Sequence, residues 1–572
     1  MDRFRRLDLA RHSMSELEND TVDEYLRGNL NRRQFVARAS VLGMSGGLVA
    51  FLAACGDDDS TTTTTKAGAT TTTKEGATTT AGATTTAAAK PGGTIKIGAP
   101  APSASIDPVK VGDLGGLIVL YQVGDYLTFS GSDLVLRPGI AEKWEPTGAK
   151  DGKEWTFTIR QGVKFHDGSP LTPDDVAATF DRLADPASKS NALSVFKGVL
   201  TKGNVKASGQ NVVFTLDAPN GNFPYLVSTD NYNAIIVKKD YAGDFETKPI
   251  GTGPWKLEKY TPKQGASFVR NPDYWGTKPT FDRAEFTYYA DEAALVLGLQ
   301  SGAIDIAHAV SIAGGKPLAG GYSPNLISST AHRQMHMRVD QDPFKDKRTR
   351  QAIALTLNRP EIIKGLFDGK ADLGNDSPFA PAYPSTDKSV AQRAQDLAKA
   401  KSLLAAAGQE KGFDIQLNAI KAQEVPDYAT LVQNAVKPLG INVKTVVQDA
   451  GEFYGDAVFG KSPWLDATMG IVDYGHRGVP NVFLGAPLLS DGTWNSAHFK
   501  SSTYDGLVKD YFSALDVASQ KSVAKKIQDL LLDETPIVFA YFFNYTSWSK
   551  KDVTGYGITG MGQIDLTKAK KG

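Results

Sequence analysis

Polar and apolar positions alternate with a period of two in some stretches of this chain and near 3.6 in others, so it reads as a mixture of strands and helices. Trp155, Phe157 and Ile159 alternate with Glu154, Thr156, Thr158 and Arg160, the signature of a strand with one buried face. Asp151-Gly152 just before them predicts a turn back from a strand around Trp144. In Leu171-Thr172-Pro173-Asp174-Asp175-Val176, Thr172 caps a helix, Pro173 fits its first position, and the two aspartates complement the dipole of its first turn. Val176, Phe180 and Leu183 share the face that follows. Leu397, Ala400 and Leu404 predict another helix, closed by Gly408. Tyr428, Leu431, Val432, Ala435, Val436 and Leu439 predict a third, ended by Gly440 and followed by a strand on Ile441, Val443, Thr445 and Val447. Helix-to-strand alternation in the later half predicts an α/β lobe, and the earlier half is richer in hairpins.

The N-terminal segment follows a different logic. A charged stretch holds Asn31-Arg32-Arg33-Gln34-Phe35-Val36, a glycine-diluted apolar run covers Ala39 to Ala54, and Leu52-Ala53-Ala54-Cys55 precedes Gly56-Asp57-Asp58-Asp59. Charged, apolar and small-residue regions in that order mark a targeting peptide. The run is too short and too rich in glycine for a membrane-spanning helix, which needs about 20 strongly apolar residues. Arg32-Arg33 resembles the twin-arginine export signal. Leu-Ala-Ala-Cys resembles a bacterial lipobox, whose cysteine, here Cys55, is acylated and becomes the mature N-terminus. A single-pass anchor with an incidental cysteine is the alternative. From Ser60 to Lys90 the chain is almost entirely Thr, Ala and Gly, with too little apolar mass to offset the entropy of ordering. As a flexible coil such a linker spans on the order of 30 Å, enough to hold a globular body clear of a lipid surface.

The remainder of the 572 residues is long enough for two or three domains. Lys plus Arg and Asp plus Glu each number 63, and no basic stripe is interleaved with aromatics, which argues against a nucleic-acid partner. Cys55 is the only cysteine, so no disulfide framework is available. Candidate chemistry is sparse. His166-Asp167-Gly168 reads as a turn between strand and helix, and Gly251-Thr252-Gly253 lacks the pattern of a phosphate loop. His332 and His336 have the spacing of a helical metal clamp, yet Arg333, Met335, Met337 and Val339 alternate with His332, Gln334, His336 and Arg338, which predicts a strand. No catalytic constellation, metal site or cofactor is expected.

Several blocks together carry a resemblance. Ala141-Glu142-Lys143-Trp144-Glu145, Trp155 through Gly168 and Leu171 through Val176 come first. Gly251-Thr252-Gly253-Pro254-Trp255, Arg270-Asn271-Pro272-Asp273-Tyr274-Trp275, Leu299 through Asp305, and Pro343-Phe344-Lys345-Asp346 with Arg350-Gln351-Ala352 follow. In order and spacing they resemble the extracytoplasmic dipeptide-, oligopeptide- and nickel-binding components of ABC importers, over nearly everything after Gly93. The resemblance implies an α/β periplasmic-binding-protein fold of two lobes joined by two crossover strands, closing on a ligand like a hinged trap, with an enlarged and discontinuous first lobe. The expected layout is a signal at 1–55, a linker at 56–91, a first lobe of 92–336 plus 536–572, and a second lobe of 337–535. The crossovers are expected near 334–339 and 535–542.

Peptide-binding members of that family carry an aspartate in a Trp-x-x-Asp-Tyr segment, where it pairs with the peptide's α-ammonium group. Gly470-Ile471-Val472-Asp473-Tyr474 matches it without the tryptophan, and Gly475-His476-Arg477-Gly478 departs from the usual continuation. Asp473 is therefore the expected ligand anchor, with pairing to a neighbour such as Arg477 as the structural alternative. Tyr474, Tyr121, Trp464 and Trp494 are secondary pocket candidates, since aromatic faces accept varied side chains or sugars. The resemblance implies a monomeric, lipid-anchored receptor outside the bacterial cell membrane, which captures peptides and delivers them to permease subunits. The alternatives are the same receptor for an oligosaccharide, opine, polyamine or metal chelate, and a secreted cofactor-bearing enzyme. Cys55→Ala is expected to move the protein from the membrane fraction into soluble extracytoplasmic material. Salt-resistant membrane retention of that variant would instead identify an anchor helix.

Overall fold

The computed structural model describes residues 92–572 apart from Ala104; the expected signal and linker, with Arg32, Arg33 and Cys55, lie outside the described residues. The chain begins with β1 (Thr94–Pro100), whose Ile95 and Ile97 are fully buried, and α1 (Leu114–Val123). A short hairpin of β2 (Thr128–Ser130) and β3 (Leu136–Pro138) leads to β4 (Ala141–Pro146) and β5 (Glu154–Ile159). Trp155, Phe157 and Ile159 of β5 point inward as their alternation predicts, and Trp144 lies opposite Phe157. Next comes α2 (Pro173–Ala184), where the Asp175 carboxylate accepts hydrogen bonds from both the backbone N–H and the hydroxyl of Thr172, at 2.8 and 2.7 Å. β6 (Val205–Ser208) and β7 (Asn211–Thr215) complete an antiparallel four-stranded sheet in the order β4-β5-β7-β6.

A second sheet forms around β1. Its other members are β8 (Trp255–Thr261), β9 (Gly265–Arg270) and β10 (Arg283–Tyr289), then, after α3 (Glu292–Gln300), β11 (Ile306–His308) and β12 (Ser323–Ile327). β1 runs parallel to both β10 and β11. Gly98 of β1 is required by packing: a Cβ there would lie 2.4 Å from Leu295 of α3 and 2.5 Å from Ile304.

The remaining elements build a separate sheet covered by helices. In chain order they are β13 (His332–Met337), α4 (Lys347–Thr356), α5 (Arg359–Phe367), β14 (Ala371–Leu373), α6 (Leu397–Ala406), β15 (Asp414–Ile420) and α7 (Val425–Val436). Then follow β16 (Asn442–Gln448), α8 (Ala450–Tyr454), β17 (Met469–Tyr474), α9 (Ser502–Ser513), α10 (Val517–Glu534) and β18 (Ile537–Phe543). The strand order is β14-β18-β13-β17-β15-β16, with β15 parallel to β16 and β17. Gly440, at φ 74°, turns the chain from the end of the α7 region into β16 as expected. Val447 is exposed rather than inward because β16 is an edge strand. The chain then returns as β19 (Tyr545–Ser549) between β12 and β11 of the earlier sheet.

The polypeptide therefore passes between these two sheets at 328–331 and again at Asn544. The stretches 334–339 and 535–542, read from sequence as the crossings, lie within or beside β13 and β18, which pair with each other inside the later sheet. β13 alternates and β18 is apolar throughout, yet both are interior strands covered on both faces, and every residue of β13 is buried. Alternation reports burial, not position relative to a hinge.

Three of the sequence blocks, those carrying His166, Gly253 and Asn271 through Trp275, meet at one joint of the first lobe. His166 sits in a turn, its backbone N–H donating to Gly251 O at 2.8 Å and its Nε2 lying 3.0 Å from Gly253 O. Burial holds its pKa down at about 4. Asn271 donates to the same Gly253 carbonyl at 3.0 Å, and Gly253 N–H to Val123 O at 2.8 Å. Beneath them the buried Asp125 accepts from the Tyr274 hydroxyl at 2.9 Å and the Trp275 indole at 2.8 Å. These three blocks are thus a structural knot. Burial pushes the Asp125 carboxyl up to about 6, against the lowering effect of the Trp275 and Tyr274 donors. An unfolded aspartate releases its proton near pH 4, so this group favours folding most below about pH 4 and loses that contribution as pH rises through 6. The Tm of Asp125→Asn relative to wild type is expected to rise between pH 4 and 7, by the equivalent of up to about 3 kcal/mol. A difference that stays flat across that window would show an unperturbed carboxyl.

Candidate functional site

The C-terminal ends of parallel strands in open α/β sheets are where ligand crevices form, and both sheets direct such ends toward one cavity. Its volume is about 640 Å³. The first lobe contributes Glu292 at the start of α3, Ser311 and Lys316. The second contributes Lys364 of α5 and Gln423, Glu424 and Asp427, which follow β15. Phe543, Asn544 and Thr546 line it where the chain passes between sheets. Among the described residues the buried Asn544 Oδ1 and Thr546 Oγ1 have no hydrogen-bond partner.

Glu424 belongs to a charged network at this wall. Arg333, whose side chain is 2% exposed, holds Glu424 at 2.8 Å and donates to Gln423 Oε1 at 2.7 Å. Its guanidinium lies 4.3 Å from the Phe543 ring centroid. The Tyr541 hydroxyl donates to the other side of this cluster, to Glu424 Oε1 at 2.9 Å. Burial works against the Arg333 charge, yet Glu424, Tyr541 and Asp473 hold its pKa above the ordinary value.

Asp473 is the cross-strand partner of Arg333, on the same face of the sheet. Its Oδ1 accepts a 2.6 Å hydrogen bond from the Tyr454 hydroxyl at the end of α8. Among the described residues no Lys, Arg or His lies within 4.0 Å of this half-buried carboxylate. Arg477, the expected alternative partner, instead donates to its neighbour's backbone at His476 O, 2.9 Å away. Tyr474 points to the opposite face of β17 and stacks on Trp494, with centroids 5.9 Å apart and planes 23° apart. Trp494 lies 6.1 Å from Trp464, which meets Tyr454 edge-on at 5.2 Å. Four of the five ligand-binding candidates thus form one group with Tyr454. Tyr121 stands apart, on α1 against the first lobe's core and 6.4 Å from Tyr126. The cavity itself is walled by other residues.

The missing tryptophan has a structural counterpart. Gly470 lies opposite His336, and a Cβ at 470 would be 2.5 Å from the imidazole Cε1. The His336 ring occupies the space a side chain at 470 would need. His332 and His336 both lie on a strand, and their rings contact backbone carbonyls of Thr330 and Ala467 at 2.9 and 3.0 Å. Burial lowers both, to about 3 and about 4, so the rings stay neutral. Arg333 and Glu424 escaped sequence reasoning because Arg333 reads only as part of an alternating strand, in register with Met335 and Met337, and its partner lies 91 residues away. The position of Glu424 just after β15 was the one available signal.

Comparison with known proteins bears on the family and the fold. Residues 135–474, more than half of the chain, match the profile of bacterial extracellular solute-binding proteins, family 5 Middle. A dipeptide-binding protein of Escherichia coli (strain K12) is 26% identical over 460 residues, covering 74% of this chain and 84% of the relative. Di/tripeptide-binding protein 1 of Pseudomonas aeruginosa is 29% identical over 434 residues, covering 70% and 79%. The structure of HbpA2 from Haemophilus parasuis superposes with a TM-score of 0.74 at 22% identity, covering 84% of this chain and all of that one, and shares the fold.

Removing Glu424 leaves Arg333 charged and buried without its counter-ion. Glu424→Ala is expected to lower the unfolding free energy by about 3–5 kcal/mol, measured by denaturant titration. Arg333→Met/Glu424→Leu should recover most of the loss, because it removes both charges. A single-variant loss under about 1 kcal/mol would show that water already screens the pair.

Proposed function

We propose that this chain, which belongs to the bacterial extracellular solute-binding proteins of family 5, captures short peptides between its two lobes and delivers them to the permease of an ABC importer. The lobes in this reading are residues 92–328 with 544–572, and residues 329–543. Closure about the two passages enclosing a ligand in the cavity suits a receptor, since ligand contacts made only in the closed form shift the equilibrium toward it. Export by Arg32-Arg33, acylation of Cys55 and a tether over 56–91 complete the proposal. The chain acts as a monomer that binds without catalysis.

One observation carries the peptide assignment. Asp473 is a half-buried carboxylate with a tyrosine donor and no cation among the described residues within ion-pair reach, while the adjacent Arg333 is committed to Glu424. A carboxylate enclosed on closure needs a positive partner, and the α-ammonium group of a peptide supplies one. Gly470 with His336 supports a second reading, a receptor retuned to a non-peptide solute, because that pair replaces the tryptophan of the peptide-binding pattern.

Mass spectrometry of material released by denaturing gently purified protein identifies the solute class. For peptides, Asp473→Asn is expected to cost about 3–5 kcal/mol of binding, roughly two to four decades in Kd. N-acetylation of the peptide should reproduce that loss in the wild type and add little in the variant. Equal affinity of the wild type for free and acetylated peptides removes the ammonium anchor and moves the second reading ahead.

A further inference from the structure

Gly475-His476-Arg477-Gly478, where the chain departs from the family's pattern, is a contact between the lobes. His476 and Gly478 follow β17 in the second lobe. Asp230 comes from the first lobe, on a loop tied to β2 by the Thr229 N–H donating to Thr128 O at 3.2 Å. Its side chain is 7% exposed and that of His476 1% exposed, with Asp230 Oδ1 and His476 Nε2 3.9 Å apart. The Thr330 backbone N–H donates to His476 Nδ1 at 3.1 Å, which leaves Nε2 as the ring nitrogen facing the carboxylate. Among the described residues neither Nε2 nor Asp230 Oδ2 has a hydrogen-bond partner.

Two glycines make this approach possible. A Cβ at Gly478 would lie 1.7 Å from Asp230 Oδ2 and 2.4 Å from its Cγ. Reciprocally, a Cβ at Gly560 of the first lobe would lie 2.4 Å from His476 Cε1. Gly478 does not have the positive φ that would demand glycine for its own backbone, so the missing side chain is explained by what fills its place. We propose that Asp230 and Gly478 are positioning residues for ligand capture: the carboxylate of one lobe seats in a side-chain-free notch of the other, and that fit sets how far the cleft closes. The inference rests on the cleft acting as a hinged trap and is independent of the ligand's being a peptide.

Gly478→Ala fills the notch without straining the backbone, and Asp230→Gly in the same chain empties it again. With tri-alanine as probe, Gly478→Ala is expected to bind about tenfold more weakly for each tenfold loss of the closed population, and to scatter X-rays as a larger particle at saturation. The double variant should return toward wild type in both measurements while the single variant keeps a cooperative melt. Equal affinity and dimensions for wild type and Gly478→Ala overturn the proposal. A second test needs no ligand. In a full-length Cys55→Ser background, Asp230→Cys/Gly478→Cys should oxidise to a reducible cross-link, since an ideal Cβ at 478 lies 3.0 Å from Asp230 Cβ and a shift apart of about 1 Å reaches the about 3.8 Å of a disulfide. Failure of the folded protein to cross-link overturns the notch. Failure of tri-alanine to bind wild type counts against the peptide reading alone, and the cross-link then decides this one.

Discussion

The pairing of β13 with β18 is the constraint on which this molecule's geometry depends. One strand follows the first passage between sheets and the other precedes the second, and they lie side by side, antiparallel, in the later sheet. Both passages therefore emerge at the same edge of that sheet, close together, where they share one bending axis. Widely separated connections would brace the lobes against each other. Arg333 of β13 and Tyr541 of β18 hold Glu424, the member of this network that lines the cavity, so its position is tied to the strands that define the hinge. Rigidity behind that edge comes from Asp376, fully buried, which accepts from Arg359 and Arg393 at 2.7 Å each and from the Phe539 N–H of β18 at 3.1 Å.

Local signals in the sequence translated well wherever one residue's environment is set by its near neighbours. The alternation of β5, the capped start of α2 and the Gly440 turn are all decided within a few residues, and they stand where the pattern put them. The blocks of family resemblance were legible as well, though their causes were not: Asp125, outside every block, is the group around which Tyr274 and Trp275 gather.

What sequence reasoning missed depends on distance along the chain. Arg333 and Glu424 sit 91 residues apart and make sense only as a pair. Asp230 meets Gly478 only because two lobes face each other, and nothing near Gly478 announces that its missing side chain is filled from elsewhere. Asp473 was singled out through a motif, while its hydrogen bond from Tyr454 came from a helix with no signal of its own. Tyr121 shows the converse: a single aromatic residue on a helix carries no information about whether it faces core or cleft.

The insertion of β19 between β11 and β12 has a consequence for how the protein comes into being. β12 hydrogen-bonds to no other strand, and β11 is left with a two-residue register on β1 without it. The final segment adds Lys550 and Lys571, each 2.8 Å from the buried Asp305, and the Ile564 carbonyl that accepts from Gln122. A ribosome making this chain from its N-terminus releases every strand of the second lobe before it can finish the first. The wall that begins earliest is the last to be sealed, and a chain cut short by some thirty residues would carry an intact second sheet facing an unfinished one.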